Sequence, residues 1–200
     1  MDQPADLFVL VDKEHSLAVD YRPADLVPLS GYPLQTIWPN LMLRKSIMPA
    51  VLQMAGAAQE KGVMITFTST YRSYEYQRGV YEREMKMYGR EAARRESAPP
   101  GYSQHQLGTA IDFGTISDGY EKTREGRWVS ANAWKYGLTL SYPFGLEPVT
   151  GYRHESWHYR YITRPGALMQ RKFFNDVQHY FLKFLNDNRS VLTRSRRRRG

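Results

Sequence analysis

The chain has no cysteine, which excludes disulfide scaffolds, thiolate metal sites, cysteine nucleophiles and iron–sulfur clusters together. No stretch approaches the roughly 18 consecutive apolar residues of a membrane span. The N-terminus also lacks the form of a signal peptide. Asp2 stands where a basic residue is expected, and the apolar run from Leu7 to Val11 is too short. The expectation is a cytoplasmic protein or one whose leader was removed before this numbering. Neither an internal repeat nor a low-complexity stretch precedes the arginine-rich end. A strong charge excess is missing from the body. Lys+Arg 28 against Asp+Glu 20 gives +8, but Arg194, Arg196, Arg197, Arg198 and Arg199 supply five of those charges and leave the remainder at +3. So mild a balance gives no reason to expect a specific nucleic-acid partner. Residues 191–200 read as a flexible basic tail, a solvated terminus that would at most rest on an anionic envelope.

What is present is ordinary for a globular protein: 200 residues, 42% apolar and 24% charged, enough for one domain over residues 1–190. Pro23, Pro28, Pro33 and Pro39 make the segment from Asp20 to Asn40 an extended wrap around the surface. Leu43, Ile47, Val51, Met54, Ala55 and Ala58 recur at helical spacing up to a stop at Gly62, with Pro49 in the first turn. Residues 63–68 read as a strand, and Tyr74 to Tyr88 as a helix ending at Gly89. A long loop over 90–104 follows, of the kind that is often functional. Strands are expected at 109–113, 138–142 and 159–162, with a helix at 129–136. One last helix from Gly166 to Asn186 carries a broad apolar stripe, read as a docking face for the core because its flanks are mixed in charge. Irregular interleaving of these elements predicts an α+β fold, a single domain with a small antiparallel sheet flanked by helices.

Candidate chemistry gathers at two histidines. A catalytic zinc takes three His or carboxylate ligands and keeps a fourth position for water. His105, Asp112 and His158 are a chemically sufficient set, and Glu155 would serve as general base beside a water whose pKa the metal lowers to about 7. Spacing alone is a weak argument. On one straight strand His105 and Asp112 would point to opposite faces, so the chain must bend between them, and Gly108 is the obvious place. Parity raises the same objection for Glu155 and His158. Loop residues satisfied by ordinary hydrogen bonds are the competing reading.

The motif Ser-x-His-x-x-Gly-x-Ala-x-Asp is filled by Ser103, His105, Gly108, Ala110 and Asp112, with Glu155-x-x-His158 downstream. The stretches 10–15, 21–26, 69–77 (Ser-Thr-Tyr-Arg-Ser-Tyr-Glu-Tyr-Gln) and 150–152 complete an ordered series. In these the chain resembles the zinc D-alanyl-D-alanine carboxypeptidases of the VanY type, in the group that includes lysostaphin-type peptidases and the hedgehog signalling domain. The likeness covers about residues 8–162. It implies one catalytic Zn2+ on His105, Asp112 and His158, Glu155 as base, Arg72 as the arginine that grips substrate, and Ser103 and Gln77 as polar residues of the cleft. A planar guanidinium can hold a carboxylate through two parallel hydrogen bonds, which selects a free C-terminus.

The implied activity is removal of a terminal D-alanine from peptidoglycan stem peptides by a monomer at the cell envelope or periplasm, with the cytoplasm still open. The alternatives are an L,D-carboxypeptidase acting on tetrapeptide stems, an endopeptidase, and a non-catalytic zinc-containing binding module. His154 and Ser156 depart from the Tyr and Pro that relatives tend to carry around the base. His154 is expected to face solvent, His15 and His179 to be surface or packing residues, and Trp157 and Tyr159 to pack.

Overall fold

The protein is described here from a computed structural model covering residues 5–192. The proline-punctuated segment stays free of α-helix and contributes two short strands, β1 (Leu26–Pro28) and β2 (Gln35–Thr36). β3 (Met42–Arg44) pairs antiparallel with β1, placing Val27 opposite Leu43. Leu43 was expected at the head of a helix, but it reaches full burial through this strand pair. Asp25 accepts hydrogen bonds from Arg44 Nε (2.7 Å) and the Ser46 amide (3.0 Å), fixing the turn that follows. The helix α1 therefore begins later, at Met48–Glu60, with Pro49 in its first turn and Met48, Val51, Met54 and Ala58 on its buried face.

After β4 (Thr66–Ser69) comes α2 (Tyr74–Glu96), whose N-cap Ser73 accepts from the Tyr76 amide at 3.1 Å. Gly89, with φ 81° and ψ 168°, breaks this helix without ending it. Residues 90–96 were expected in a loop, yet they resume the helix. Ala93 is buried, Arg95 forms a two-pronged pair with Glu147 (2.5 and 2.8 Å), and Glu96 pairs with Arg153. Next follow β5 (Ala110–Phe113), α3 (Arg124–Asn132), a 3-10 turn over Ala133–Tyr136, β6 (Leu138–Leu140), α4 (Glu147–Thr150) and β7 (His158–Tyr161).

The main sheet runs β2-β4-β5-β7-β6. All its pairs are antiparallel except the edge pair β2–β4. Along β5 the side chains alternate: Ile111 and Phe113 join Val51, Phe67, Val129 and Tyr159 in the main apolar core, leaving Asp112 for the other face. The expected terminal helix is two helices, α5 (Arg164–Phe173) and α6 (Gln178–Asp187). Asn175 and Asp176 part them in left-handed backbone (φ 53° and 59°), a conformation their short polar side chains tolerate. Ala167, Gln170, Phe181 and Leu182 turn inward, as a docking stripe requires. Among the described residues no helix is long and apolar enough to cross a membrane. Most of the expected basic tail, including Arg194 and Arg196 to Arg199, lies outside the described residues.

Candidate active site

Register brings the site together. Asp112 on β5 stands directly opposite His158 on β7, so their side chains meet on one face of the sheet. Asp112 also faces Ser69 at the end of β4. His105 arrives from a 3-10 turn over Gln104–Leu107, N-capped by Ser103 and closed by Gly108 at φ 69°. A β-carbon at Gly108 would crowd Arg44 and Leu26 at 3.0 Å, so the left-handed turn and the close packing both call for glycine. The bend at this position brings His105 to Asp112 despite their odd spacing. A turn from Glu155 to His158 (His158 N–H to Glu155 O, 3.1 Å) does the same for that pair.

The ligand atoms of His105, Asp112 and His158 all lie within 4.8 Å of one another, and all three residues are buried. Each imidazole has one nitrogen committed elsewhere. His105 Nδ1 lies 2.6 Å from the Thr70 carbonyl, which only accepts, so the proton sits on Nδ1 and Nε2 is bare. His158 Nε2 lies 3.2 Å from Gln104 Oε1, which leaves Nδ1 bare by the same logic. Those two bare nitrogens face the Asp112 carboxylate at 3.2 and 2.9 Å. His105 Nε2 and Asp112 Oδ1 accordingly find no hydrogen-bond partner. Three sets of lone pairs converge in a buried place, an arrangement that repels itself and that a cation would relieve. The donor set therefore fits a divalent metal ion with nitrogen and oxygen ligands.

Electrostatics agree with that geometry. Burial and the Arg72 charge bring the His105 pKa down to about 4 against the pull of Asp112, so the ring is neutral at ordinary pH. Glu155, 3.7 Å from His158 Nδ1, is pushed up to about 8 by burial and then by the Asp112 charge. A bound cation would pull it back down.

These residues open into a cavity of about 590 Å³, where Arg72, Ser103 and Glu155 join the triad. Arg72 makes no salt bridge among the described residues, and its Nε is buried without a partner. Val80, Glu84, Tyr88, Ala92 and Glu96 supply one wall, spaced four apart along α2. Gln77 is not brought to the cavity. It is fully buried, and its amide donates to the Ala98 carbonyl at 2.7 Å, holding the segment after α2.

His154 does not face solvent freely. Its Nδ1 lies 2.9 Å from the Tyr142 carbonyl and its Nε2 3.2 Å from Glu121. His15 and His179 flank Asp12 at 2.8 and 3.9 Å. Thr70 and Gln104, which orient the two imidazoles, were not singled out from sequence, although both sit inside the quoted motifs. Tyr142, Tyr152 and Trp157 also line the cavity; Tyr152 lies in a quoted stretch without having been given a role, Trp157 was expected only to pack, and no local signal marked Tyr142.

Comparison with known proteins gives a consistent result. The family described as VanY, D-alanyl-D-alanine carboxypeptidase, matches residues 40–164. The putative carboxypeptidase YodJ of Bacillus subtilis (strain 168) is 33% identical over 190 residues, covering 92% of this chain and 70% of YodJ. Among solved structures, the LdcB LD-carboxypeptidase superposes with TM-score 0.79 at 31% identity, over 88% of this chain and 85% of that one. A VanY D,D-pentapeptidase from a VanB-type resistance cassette, in complex with Zn(II), superposes with TM-score 0.74 at 26% identity, over 88% of this chain and 99% of that one.

Proposed function

This chain belongs to the VanY D-alanyl-D-alanine carboxypeptidase family, and from that premise we propose that it is a zinc-dependent carboxypeptidase removing the C-terminal D-alanine from peptidoglycan stem peptides. The observation that carries the proposal is the convergence of two bare, buried imidazole nitrogens on the Asp112 carboxylate beside the buried Glu155.

His105, Asp112 and His158 would hold one Zn2+. The ion would polarise the scissile carbonyl and lower the pKa of a water molecule. Glu155 takes the proton of the attacking water and passes it to the amine that leaves, a role suited to a carboxylate whose pKa burial has raised. Arg72 lines the cavity, makes no ion pair among the described residues and has a buried Nε–H without a partner, so its guanidinium N–H groups are left for substrate. They would bind the terminal carboxylate of the substrate or steady charge on the carbonyl oxygen. Ser103 keeps its oxygen on the amide of His105 at 3.3 Å, fixing the turn that carries that ligand at the cavity edge. The substrate class puts the enzyme at the cell envelope.

An L,D-carboxypeptidase acting on tetrapeptide stems is the second reading, favoured by the likeness to LdcB. The same ligand set serves both. Mass spectrometry of zinc-loaded protein incubated with pentapeptide and tetrapeptide stems separates them. Loss of D-alanine from the pentapeptide supports the first reading, and loss from the tetrapeptide alone supports the second. Glu155→Gln should abolish turnover while zinc stays bound. Turnover at the wild-type rate would refute the role of Glu155.

A further inference from the structure

His158 can offer its Nδ1 lone pair only while its proton sits on Nε2, and the groups that hold the proton there reach well beyond the cavity. Its Nε2 donates to Gln104 Oε1 at 3.2 Å. Gln104 ends in an amide, and an amide turned end for end keeps nearly the same shape. Turned over, Gln104 would donate to Nε2 and drive the proton to Nδ1, where Asp112 Oδ1 lies 2.9 Å away. The order of its oxygen and nitrogen must therefore be fixed from elsewhere.

A buried run of polar side chains fixes it. Gln104 Nε2 points at Gln178 Oε1 at 3.5 Å. Ser141, whose amide donates to the His158 carbonyl at 3.2 Å, gives its hydroxyl proton to Gln104 Oε1 at 2.7 Å and lies 3.2 Å from Gln178 Oε1. That hydroxyl could serve either order of Gln104, since it both donates and accepts. Gln178 has no such freedom. Its Nε2 donates to the Thr139 carbonyl at 3.1 Å and to Thr139 Oγ1 at 2.8 Å. A backbone carbonyl only accepts, so Gln178 keeps its nitrogen on β6 and its oxygen toward Gln104. A reversed Gln104 would set two amide oxygens 3.5 Å apart with no proton between them. Gln104, Thr139, Ser141 and Gln178 are all buried, so solvent does not repair a mismatched pair.

We propose that Gln178 is a positioning residue for the metal centre: its amide sets the order of Gln104 and so holds His158 with Nδ1 bare. This role rests on the reading of His105, Asp112 and His158 as the zinc site. Gln178 opens α6, beyond residue 164 where the family match ends. A helix outside that match thus governs where a ligand inside it carries its proton.

The test compares Gln178→Met, which keeps the length of the side chain and removes its polarity, with Gln170→Met. Gln170 is a buried glutamine on α5 whose amide holds Asp176 O and Oδ1 at 3.0 Å, away from the run that leads to His158. Heteronuclear NMR of the imidazole nitrogens in the metal-free proteins reads the tautomer. Wild type and Gln170→Met should carry the His158 proton on Nε2, and Gln178→Met should carry it on Nδ1. Zinc affinity, from competition with a chelator, should fall about tenfold in Gln178→Met and stay within about twofold of wild type in Gln170→Met. A metal-free wild type with the proton on Nδ1 overturns the proposal, and does so whether or not any variant folds. So does a Gln178→Met protein that keeps the proton on Nε2, even if its zinc affinity falls. Failure of the wild type to bind zinc would instead sink the reading of the triad, while the spectra would still judge Gln178.

Discussion

Replacing Gln104 by Ala should weaken zinc binding without unfolding the protein, and the structure sets the size of the effect. Gln104 Oε1 accepts from His158 Nε2 at 3.2 Å and from Ser141 Oγ at 2.7 Å. In the variant, Ser141 keeps a partner in Gln178 Oε1 at 3.2 Å, whereas His158 Nε2 loses its acceptor. A buried N–H without a partner costs about 1–3 kcal/mol, and the metal-free protein has a way to avoid that cost. The proton moves to Nδ1 and points at Asp112 Oδ1, 2.9 Å away. That relaxation consumes the lone pair a metal needs, so zinc must reverse it on binding. The expected loss is about ten- to a hundredfold in affinity, or ~1.4–2.7 kcal/mol. The metal-free melting temperature should fall by no more than about 4 °C. Competition against a chromophoric chelator gives the affinity, and a melt of the stripped protein gives the stability. Gln104→Glu, which retains an acceptor, should recover most of the affinity. Zinc affinity within about twofold of wild type in Gln104→Ala would refute the tautomer argument.

Zinc at about a thousand times its dissociation constant should stabilise the folded state by ~4 kcal/mol, a rise of roughly 8–16 °C in melting temperature for a chain of this size that a chelator reverses. An unchanged melt would count against the triad as a metal centre. Asp12 lies against opposing burial, but hydrogen bonds from the Glu14 and His15 amides and from His15 Nδ1 bring its pKa below the ordinary value. Its stabilisation is present above the unfolded pKa, near 4, and is lost as pH falls through the lower folded value. Denaturant melts should therefore show Asp12→Asn less stable than wild type at pH about 6, with the gap closing as the pH falls below the ordinary carboxylate range. A gap independent of pH would exclude the carboxylate as its source. At Gly126 a β-carbon would lie 2.1 Å from the Tyr120 carbonyl oxygen, a backbone atom that cannot step aside. Gly126→Ala should cost roughly 1–3 kcal/mol in a urea melt, and a neutral result would contradict the packing of α3 on that turn.

The sequence carried the candidate site because its residues are specified locally and in order: a turn glycine at 108, a ligand on either side of it, and a Glu-to-His turn leading into β7. Strands β5 and β7 were visible as β-branched and aromatic runs. What escaped was settled by partners distant along the chain. Leu43 fits a helical period, but β1 claims it as a strand. Gly89 carries the signature of a helix end, but Ala93 buries and Arg95 finds Glu147, so the helix resumes beyond it. The stripe from Leu168 to Leu185 reads as one helix because period alone is blind to the two left-handed residues at Asn175 and Asp176. Gln77 sits in a matching motif, yet its amide nitrogen is committed to the Ala98 carbonyl and the side chain is buried away from the cavity. Asp12, His15 and His179 meet across more than 160 positions, a span over which no local pattern speaks.

The absence of sulfur from the ligand set reaches beyond folding. Two imidazoles and a carboxylate contain no soft donor with which to reject one first-row divalent ion in favour of another. Affinities at such a centre rise from manganese through cobalt and nickel to copper, with zinc below copper. Preference for one such ion must then come from coordination geometry and from supply, and the ion found in the isolated protein would reflect the free metal concentrations where the chain folded. With no soft donor to discriminate, a medium rich in another divalent ion would then be able to fill the same three ligands with that ion.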